Sequence, residues 1–587
     1  MNWDLTYLFK TKEDFENALK EVSSYIEKLA VYQGKLGNQN DFKDYFLLEL
    51  KASELGLRAY QYASLKSDLN KKDIDGLTDL SKIASIMGRF QEATSFESPE
   101  ILSLGEKKVM EFVSNNPELE EFRFSFEKLF RQNKHILSKD IERIMANFAP
   151  ANEAGASLYS ALAVGDNVSK DVKLSTKEVV NVTNSNFRAL IAQADNAKDR
   201  KKIFEAVFED FEKHKNTFAS IYESILLVNR ANAQSRNYKS ILESFLFGNN
   251  IPTSVYKTLV KVAGSHTKPI KDYIKLRKKY LGIRTYHTYD RYLELASSDK
   301  EYNFEEAKEL FFNSLKDFPK DFQEKARLAL CDGFVDVEPK DGKRTGAYSS
   351  SMPNLNPYIL LNFTNTLDDV FTVAHESGHS MHSIYSKENQ PTNLQNYTIF
   401  VAEIASTFNE HVLLDYFIKS GKATKEEKIM LLQKAIDDII ATFYRQALFA
   451  EYELIAHEKI ANYEPINHEV LSKIMIDLYK KYYGLDITKE DYKRYVWAYI
   501  PHLFYTPFYV YQYATSFAAS FKIYEDVKNN VPGAFDRYIG LLKSGGSKYP
   551  MDEAREAGVD FTKKETFMAV YNRLNDLVRQ LTLALEE

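Results

Sequence analysis

The chain has 587 residues, and its 77 basic and 83 acidic side chains leave a formal net charge of −6. This balance gives no reason to expect a nucleic acid or an anionic membrane as a partner. Glycine (22) and proline (15) are scarce for the length, and 44% of the residues are hydrophobic. The composition therefore favours long helices around a large core over a β-architecture.

Two segments and one side chain bear on the compartment. The N-terminal residues carry charges where a secretory signal peptide would be apolar. The longest run without Asp, Glu, Lys or Arg, residues 495–521, is interrupted by two prolines and is rich in tyrosine, so we do not predict that it spans a membrane. The single cysteine, Cys331, excludes an internal disulfide framework and fits a reducing compartment. We expect a cytoplasmic protein with no membrane partner.

Helical patterns fill most of the chain. Residues 1–115 are predicted to form antiparallel helices, because apolar residues recur there at spacings of three and four, as at Phe15, Leu19, Val22, Ile26 and Leu29. Residues 116–185 are predicted to be a helical segment with a loop or inserted lobe at 151–173, where Ala, Ser, Gly and Asn are frequent. Residues 186–587 are again mostly helical in pattern.

Three short segments in the middle of the chain have strand character and are separated by Gly, Pro and Asn. They are Phe334–Val337, Gly346–Ser350 and Tyr358–Asn362. A small sheet formed by these segments would offer an edge to an extended peptide, since backbone pairing at an edge recognises peptides without regard to side chains. The candidate edge residues are Gly346, Ala347 and Tyr348, and the alternative is an ordinary buried strand.

A metal-binding pattern follows the third of these segments. His375, Glu376 and His379 form the sequence H-E-x-x-H. Residues four apart share one face of a helix, so the two imidazoles can hold one metal ion and the glutamate can reach a water molecule beside it. The alternative is a buried helix with two satisfied core histidines.

The residues around the pattern support a helix over 366–385. Thr366 and Asp369 form a T-x-x-D capping box at its start. Gly378 costs about 1 kcal/mol relative to Ala inside a helix, which indicates that another part of the chain approaches the backbone there.

A catalytic zinc ion usually has three protein ligands, and the sequence offers two candidates for the third. His382 shares the helix face, but it lies about 7.5 Å further along the axis than the ion would. Glu403 lies in the next helix, on a polar stripe with Ser406 and Glu410 that would otherwise be a solvated face. We predict that Glu403 is the ligand and that Glu410 accepts a hydrogen bond from a ligand histidine. We expect His382 to lie behind the ligands or to face the substrate.

A second candidate region is rich in aromatic residues. A threonine–proline pair at 506–507 predicts the start of a helix, on which Tyr509 and Tyr513 would share a face. His502 and Tyr505 lie just before it. A tyrosine hydroxyl or a histidine N–H can stabilise the oxyanion of a tetrahedral intermediate, although core packing is the alternative for any single tyrosine.

Together these motifs resemble the oligoendopeptidase F branch of the M3 (thimet oligopeptidase-like) metallopeptidases. The resemblance covers nearly the whole chain. It rests on H-E-S-G-H-S-M-H at 375–382, F-V-A-E-I-A-S-T-F-N-E at 400–410, W-D-L at 3–5, L-E-S-F-L-F-G-N-N-I-P at 242–252, G-A-Y-S at 346–349 and the aromatic region at 502–515.

The resemblance implies a mainly α, zincin-type fold of many helices, with a small β-sheet beside the metal helix and a deep substrate channel. It implies an N-terminal helical domain at 1–115, a segment of the oligopeptidase F N-terminal type at 116–185 and the catalytic domain at 186–587. It also implies one zinc ion per chain on His375, His379 and Glu403, with Glu376 as general base. The residues that bind substrate and stabilise the transition state then fall near His502, Tyr505, Tyr509 and Tyr513, and we expect His502 or a tyrosine to face the metal.

We therefore predict a zinc-dependent endopeptidase that hydrolyses internal bonds of unfolded oligopeptides, as a monomer or a small homo-oligomer. One alternative is a carboxypeptidase or dipeptidyl carboxypeptidase, which would need a cation such as Arg344 or a lysine for the terminal carboxylate. Another is a peptide-binding protein with a structural metal and no turnover.

Overall fold

The computed structural model describes residues 2–421, 423–490 and 492–587. Met1, Lys422 and Asp491, which fall within the predicted domains, lie outside the described residues. The predicted division of the chain at residues 115 and 185 stays a prediction.

Most of the chain is helical, as the scarcity of glycine and proline indicates. In chain order the α-helices are α1 (Lys12–Ala30), α2 (Gln39–Leu69), α3 (Ile74–Ala93), α4 (Glu97–Leu104), α5 (Glu106–Asn115), α6 (Arg123–Gln132), α7 (Lys139–Asn152), α8 (Ala154–Ser160), α9 (Phe187–Gln193), α10 (Ala197–Lys213), α11 (Lys215–Ser235), α12 (Ile241–Leu246), α13 (Thr253–Ser265) and α14 (Lys268–Tyr280). They continue with α15 (Phe304–Ser314), α16 (Lys320–Ala329), α17 (Leu367–Asn389), α18 (Ile399–Ser420), α19 (Lys425–Ile439), α20 (Arg445–Ala461), α21 (His468–Tyr483), α22 (Val496–Tyr499), α23 (His502–Tyr505), α24 (Tyr511–Lys528), α25 (Ala534–Ser544), α26 (Pro550–Glu556) and α27 (Lys564–Glu586). The strands are β1 (Lys170–Lys173), β2 (Val179–Val182), β3 (Val335–Asp336), β4 (Tyr348–Ser350) and β5 (Tyr358–Leu360).

The chain folds into two compact units, each built from three separate stretches. The first unit comprises Met1–Lys134, Asp299–Tyr416 and Ile523–Val559. The second comprises His135–Ser298, Phe417–Lys522 and Asp560–Glu587.

In the first unit the N-terminal helices pack against one another. Helices α1, α2 and α3 form mutual contacts, and the apolar residues of α1 that recur at spacings of three and four are buried, as predicted: Phe15, Leu19, Val22, Ile26 and Leu29. A capping box between Thr11 and Asp14 begins α1. Local propensity and burial therefore agree on the same helix.

The first unit also contains the small sheet. Its strand order is β3-β5-β4, with β3 parallel to β5 and β4 antiparallel to β5. The central strand β5 is fully buried, whereas β4, at the end of this order, is half-buried along its length. The indole N–H of Trp3 donates to the carbonyl of Ile359 in β5 (2.8 Å), which attaches the N-terminal residues to the sheet.

Helix α17, which carries the metal-binding pattern, packs against β4 and β5 and against α15, α16 and α25 of the same unit. The three predicted strand segments coincide with β3, β4 and β5. The predicted mainly α fold with a small sheet beside the metal helix is confirmed, and the deep channel stays a prediction.

In the second unit, helices α10, α11, α13, α19, α20, α21 and α27 form the main packing contacts. The loop predicted at 151–173 is wrong, because α8, a π-helical turn at Ala161–Gly165 and β1 occupy most of that stretch. The alternative, an inserted lobe, stays a prediction. Strand β1 pairs antiparallel with β2. A Cβ on Gly155 would lie 2.7 Å from the Ile225 side chain, so the small residues allow α8 to pack closely on α11.

None of the helices among the described residues is both long enough and apolar enough to cross a bilayer.

Candidate metal centre and active site

Helix α17 begins at the predicted capping box. The Thr366 hydroxyl accepts a hydrogen bond from the backbone N–H of Asp369 (3.3 Å), and the Asp369 carboxylate accepts one from the backbone N–H of Thr366 (2.9 Å). Both acidic residues of the first turn favour a helix N-terminus. The helix continues to Asn389, beyond the predicted end at 385, and it carries His375, Glu376 and His379.

A close crossing of α17 and α18 defines the site. A Cβ placed on Gly378 would lie 2.5 Å from the carbonyl oxygen of Ala405 and 2.5 Å from the Cα of Ser406. No side chain fits there, so the backbone of α18 passes directly against α17 between the two histidines. The prediction that another segment approaches Gly378 is confirmed, and the crossing brings Glu403 of α18 to the histidines.

Three donor groups meet at this crossing. The Glu403 Oε2 atom lies 3.4 Å from His375 Nε2 and 3.4 Å from His379 Nε2. One potential donor atom from each residue falls within 4.8 Å of the others, which is close enough to bind one ion. Two imidazoles and one carboxylate are a donor set that zinc takes in catalytic sites, with a further position left for water.

His382, the rival for third ligand, is not part of this group. It is fully buried, and its ring stacks on Tyr397 with 3.6 Å between the ring centroids. Neither ring nitrogen has a hydrogen-bond partner among the described residues. Burial lowers the pKa of His382 to about 3, with a smaller contribution from His379, so this histidine stays neutral.

The remaining ring nitrogen of His375 is bound by a carboxylate. His375 Nδ1 contacts Glu410 Oε1, so Nε2 is the ring nitrogen of His375 that remains available as a metal ligand. Burial would lower the pKa of His375, but Glu410 and Glu403 outweigh it and raise that pKa well above its usual range. An acceptor on the second nitrogen fixes the ring and makes the imidazole a stronger ligand.

The polar stripe on α18 is not a solvated face. The hydroxyl of Ser406 is buried and donates to Glu403 Oε2 (2.9 Å). Burial would raise the pKa of Glu403, but His375 and His379 hold it far below its usual range. The carboxylate is therefore kept ionised, as a metal ligand must be.

Glu376 is a buried carboxylate with one free oxygen. Its side chain has 6% of its surface exposed, and Oε2 has no hydrogen-bond partner among the described residues. Ser349 of β4 lines the same cavity, and burial raises the pKa of Glu376. A buried carboxyl group with a raised pKa, beside three potential metal ligands, is suited to take up a proton.

One cavity of about 470 Å³ in the first unit is lined by His375, Glu376, His379 and Glu403. Ala347 and Tyr348 line its wall together with Ser349, and the Tyr348 hydroxyl donates to Asp68 (2.6 Å). Gly346, which precedes the strand, is not part of the lining, and its carbonyl accepts a hydrogen bond from the side chain of Asn362 (2.7 Å). The predicted edge therefore lies along the cavity, one or two residues later than the predicted start.

Three of the lining residues that sequence reasoning missed have polar side chains that can contact a substrate: Ser383, Lys387 and Tyr397. Ser383 and Lys387 follow His379 at successive spacings of four, so helical periodicity could have identified them. Tyr397 lies between α17 and α18, where no periodicity operates, and its hydroxyl is 3.1 Å from Ser383 Oγ.

The four aromatic candidates belong to the second unit. The rings of His502, Tyr509 and Tyr513 form a cluster, with centroids 6.0 Å apart for His502–Tyr509 and 5.5 Å apart for Tyr509–Tyr513. Burial lowers the pKa of His502, which favours its neutral form. Tyr505 is 44% exposed and packs edge-on against Tyr159. The roles predicted for these residues stay predictions.

The helix predicted to start at 506–507 is wrong. Helix α23 ends at Tyr505 and α24 begins at Tyr511, so Tyr509 precedes the helix that carries Tyr513. Phe508 has a φ of 56°, which interrupts a helix, and its backbone N–H donates to the buried carboxylate of Glu453 (2.8 Å). This long-range contact overrides the local preference.

Comparison with known proteins identifies the family of the chain. The family model described as Peptidase family M3 matches residues 190–573, and the model described as Oligopeptidase F matches residues 100–167. The oligoendopeptidase F homolog of Borreliella burgdorferi is 35% identical over 97% of this chain and 96% of its own, and the oligopeptidase PepF of Bacillus subtilis is 33% identical over 97% and 84%.

The structural comparison gives the same answer. The crystal structure of oligoendopeptidase-F from Enterococcus faecium superposes with a TM-score of 0.76 at 27% identity, covering 98% of this chain and 99% of that one. The match over most of the chain and the histidine–histidine–glutamate group lead to one conclusion: the chain belongs to peptidase family M3 and is a metallopeptidase of the oligoendopeptidase F type.

Proposed function

We propose that the protein is a zinc endopeptidase that hydrolyses internal bonds of unfolded oligopeptides. The observation that carries this proposal is the buried, unpartnered oxygen of Glu376 beside the donor atoms of His375, His379 and Glu403, all on one cavity. A structural metal site is normally closed and has no need of a spare carboxylate at its side.

Zinc fits the residues present. His375, His379 and Glu403 would hold it, with Glu410 orienting His375 and His382 lying behind the ligands. When bound, the ion supplies Lewis-acid chemistry, which makes a water molecule more acidic and polarises a peptide carbonyl. The side-chain chemistry of the donors, two imidazoles and one carboxylate, favours zinc over magnesium or calcium, which prefer oxygen ligands.

Glu376 performs the proton transfers. Its carboxylate takes a proton from the attacking water as the oxygen–carbon bond forms at the scissile carbonyl. The same group then donates that proton to the amide nitrogen as the carbon–nitrogen bond breaks, so the amine leaves uncharged. Burial raises the pKa of the Glu376 carboxyl group, which favours its uptake of the water proton.

Substrate would lie in an extended form along the edge strand. β4 is at the end of the sheet order and lines the cavity, so an incoming peptide can pair with its free backbone groups. Ala347 and Tyr348 then contact the substrate, with Gly346 at the margin. This mode of binding recognises peptide backbone and requires an unfolded segment, which suits oligopeptides better than folded proteins.

The aromatic cluster of the second unit completes the proposal. His502, Tyr509 and Tyr513 would supply hydrogen bonds to the oxyanion of the tetrahedral intermediate, and Tyr505 would contact the peptide. A neutral His502 donates one N–H, and the lowered pKa from burial favours that form.

A carboxypeptidase or dipeptidyl carboxypeptidase is the second candidate. Such an enzyme needs a cation near the site to bind the terminal carboxylate of the substrate. Arg344 already donates to Asp68 (3.1 Å) and does not line the cavity, which counts against it. Lys387 does line the cavity, so the exopeptidase alternative stays open.

Hydrolysis of an internally quenched peptide, blocked at both ends, tests the proposal. We expect cleavage at internal bonds, loss of cleavage with a chelator and recovery with zinc. Trimming of peptides with a free C-terminus only would favour the exopeptidase. Zinc binding without cleavage of either peptide would overturn the enzymatic proposal in favour of a peptide-binding protein.

A further inference from the structure

The cavity carries one cation that the proposed chemistry does not use. Among the described residues that line it, Lys387 is the only lysine or arginine. It is half-buried on the last turns of α17, and burial lowers the pKa of its ammonium group. A positive charge in a partly desolvated cavity is unfavourable unless a partner compensates it.

No carboxylate within the described part of the chain forms an ion pair with Lys387. Its Nζ atom donates to the amide oxygen of Asn356, a neutral acceptor. The acidic neighbour on the helix, Glu388, pairs instead with Lys325 of α16 (2.6 Å). Lys387 therefore keeps two of its three donor hydrogens for another acceptor.

The position of Lys387 along α17 fixes its distance from the reaction site. His379, Ser383 and Lys387 follow one another at spacings of four and all line the cavity. At a rise of 1.5 Å per residue, Lys387 lies about 12 Å along the axis from His379. An extended peptide covers that distance in roughly three or four residues.

The segment that follows the edge strand β4 also reaches Lys387. Ser349 and Glu376 line the same cavity, and its wall continues through Ser351, Met352 and Pro353. The segment that follows carries Asn356, to which Lys387 donates. A peptide lying along β4 from Glu376 therefore passes Lys387.

We propose that Lys387 binds a carboxylate of the substrate peptide three or four residues from the scissile bond, so that the enzyme prefers peptides with an acidic group there. This inference rests on the proposed function and specifies its substrate class. The carboxylate belongs either to an aspartate or glutamate side chain or to the C-terminus of the peptide. A peptide antiparallel to β4 presents its N-terminal side to Lys387, and a parallel peptide presents its C-terminal side.

The test uses quenched peptides with one cleavable bond, in which a single Glu or Gln is moved through positions two to five on either side. Two further peptides end three or four residues after the cleavable bond. One has a free C-terminal carboxylate, and the C-terminus of the other is amidated. Each peptide is compared on the wild-type zinc enzyme, Lys387→Met, Lys387→Arg and Lys387→Glu. Lys320→Met is the matched control, because Lys320 is an exposed lysine at the start of α16, outside the cavity lining.

We expect the wild type to prefer the Glu peptide over the Gln peptide by about threefold to tenfold in kcat/KM, at one or two adjacent positions only. Lys387→Met should abolish the preference, Lys387→Arg should retain it, and Lys387→Glu should prefer a Lys peptide at the same position. Lys320→Met should behave as the wild type. A purely structural role for Lys387 would lower activity toward all peptides alike and would not reverse the charge preference.

Binding to the Glu376→Gln protein separates this inference from the proposed function. Fluorescence anisotropy measures the dissociation constants of the same labelled peptides on this variant. The Glu peptide should bind more tightly than the Gln peptide by a factor similar to the preference in kcat/KM, and this result does not depend on whether the wild type hydrolyses peptides. A preference confined to the free C-terminus identifies the terminal carboxylate as the ligand and still supports the inference. Equal binding of all charged and neutral pairs, before and after Lys387→Met, would overturn it.

Discussion

Gly378 of α17 and Ser406 of α18 are so close that a Cβ on the glycine would stand 2.5 Å from the serine Cα. The contact joins two backbones, so neither side can yield by changing a rotamer. Glu403 lies close to both histidines because this contact lets the two helices cross so closely.

The first prediction concerns this glycine. Gly378→Ala adds a methyl group that forces the two helices apart, which should destabilise the fold by about 1–3 kcal/mol and weaken zinc binding at least about tenfold. Gly88→Ala is the matched control, because a Cβ at this position in α3 meets no atom within 4 Å. That substitution should raise stability by about 0.5–1 kcal/mol through helix propensity. Thermal unfolding and zinc titration with a competing chelator measure both effects; unchanged zinc affinity in Gly378→Ala would contradict the prediction.

The second prediction concerns the proton carrier. Glu376→Gln keeps the shape and one acceptor but cannot take a proton, so kcat should fall about 10²- to 10⁴-fold while KM and zinc content change little. Glu388→Gln, on the same helix but outside the cavity lining, should leave kcat within about twofold of the wild type. Steady-state kinetics and zinc analysis make the comparison. A Glu376→Gln enzyme with normal kcat would show that another group carries the proton.

The third prediction concerns Glu410, which acts through His375. Glu410→Gln keeps a hydrogen-bond acceptor for Nδ1 but removes the negative charge that strengthens the imidazole as a ligand. Zinc affinity should fall about 10- to 100-fold, and saturating zinc should restore most of the activity. Glu403→Gln, which removes a donor, should lose more affinity and should not be rescued to the same extent. Equal affinities of Glu410→Gln and the wild type would exclude this role.

The fourth prediction concerns stability and pH in the second unit. Burial raises the pKa of Glu453 from its ordinary value of 4.5 to about 8. As the pH rises, the Glu453 carboxyl group loses its proton in the unfolded state before it does so in the folded state. The protonated group therefore costs no free energy of unfolding below pH 4.5, and the free energy of unfolding falls as the pH rises toward 8. The loss amounts to at most about 5 kcal/mol.

The test compares Glu453→Gln, which stays neutral and keeps an acceptor for Phe508, with the wild type in thermal unfolding. The two melting temperatures should be similar at pH 5, and the variant should melt higher at pH 8. Glu458→Gln, an exposed position on the same helix, should show no such dependence. A constant difference across this pH range would mean that Glu453 is already ionised in the folded protein.

Local chemistry explains what the sequence predicted well. The capping box at Thr366, the spacing of His375 and His379, and the polar position of Glu403 are all set within one or two turns of helix. The three short strands were likewise visible because Gly, Pro and Asn separate them.

The errors have long-range causes. The small residues near Gly155 resemble a loop in sequence, but they serve close packing on Ile225, seventy positions away. The helix expected after Thr506 does not start there, because Glu453 holds Phe508 in a left-handed conformation. Lys387 was overlooked because a lysine on a helix is normally a solvated residue, and only the position of the cavity gives it a different meaning.

The hydrogen bond from the Trp3 indole to Ile359 joins residues 356 positions apart. A ribosome adding about 5–20 residues per second needs roughly 20 to 70 s to make that interval. During synthesis Trp3 therefore lacks this hydrogen bond for roughly 20 to 70 s, until its partner strand has been made. The sheet that borders the cavity is consequently assembled late, so a fusion at the N-terminus should slow the maturation of the enzyme more than it changes the finished protein.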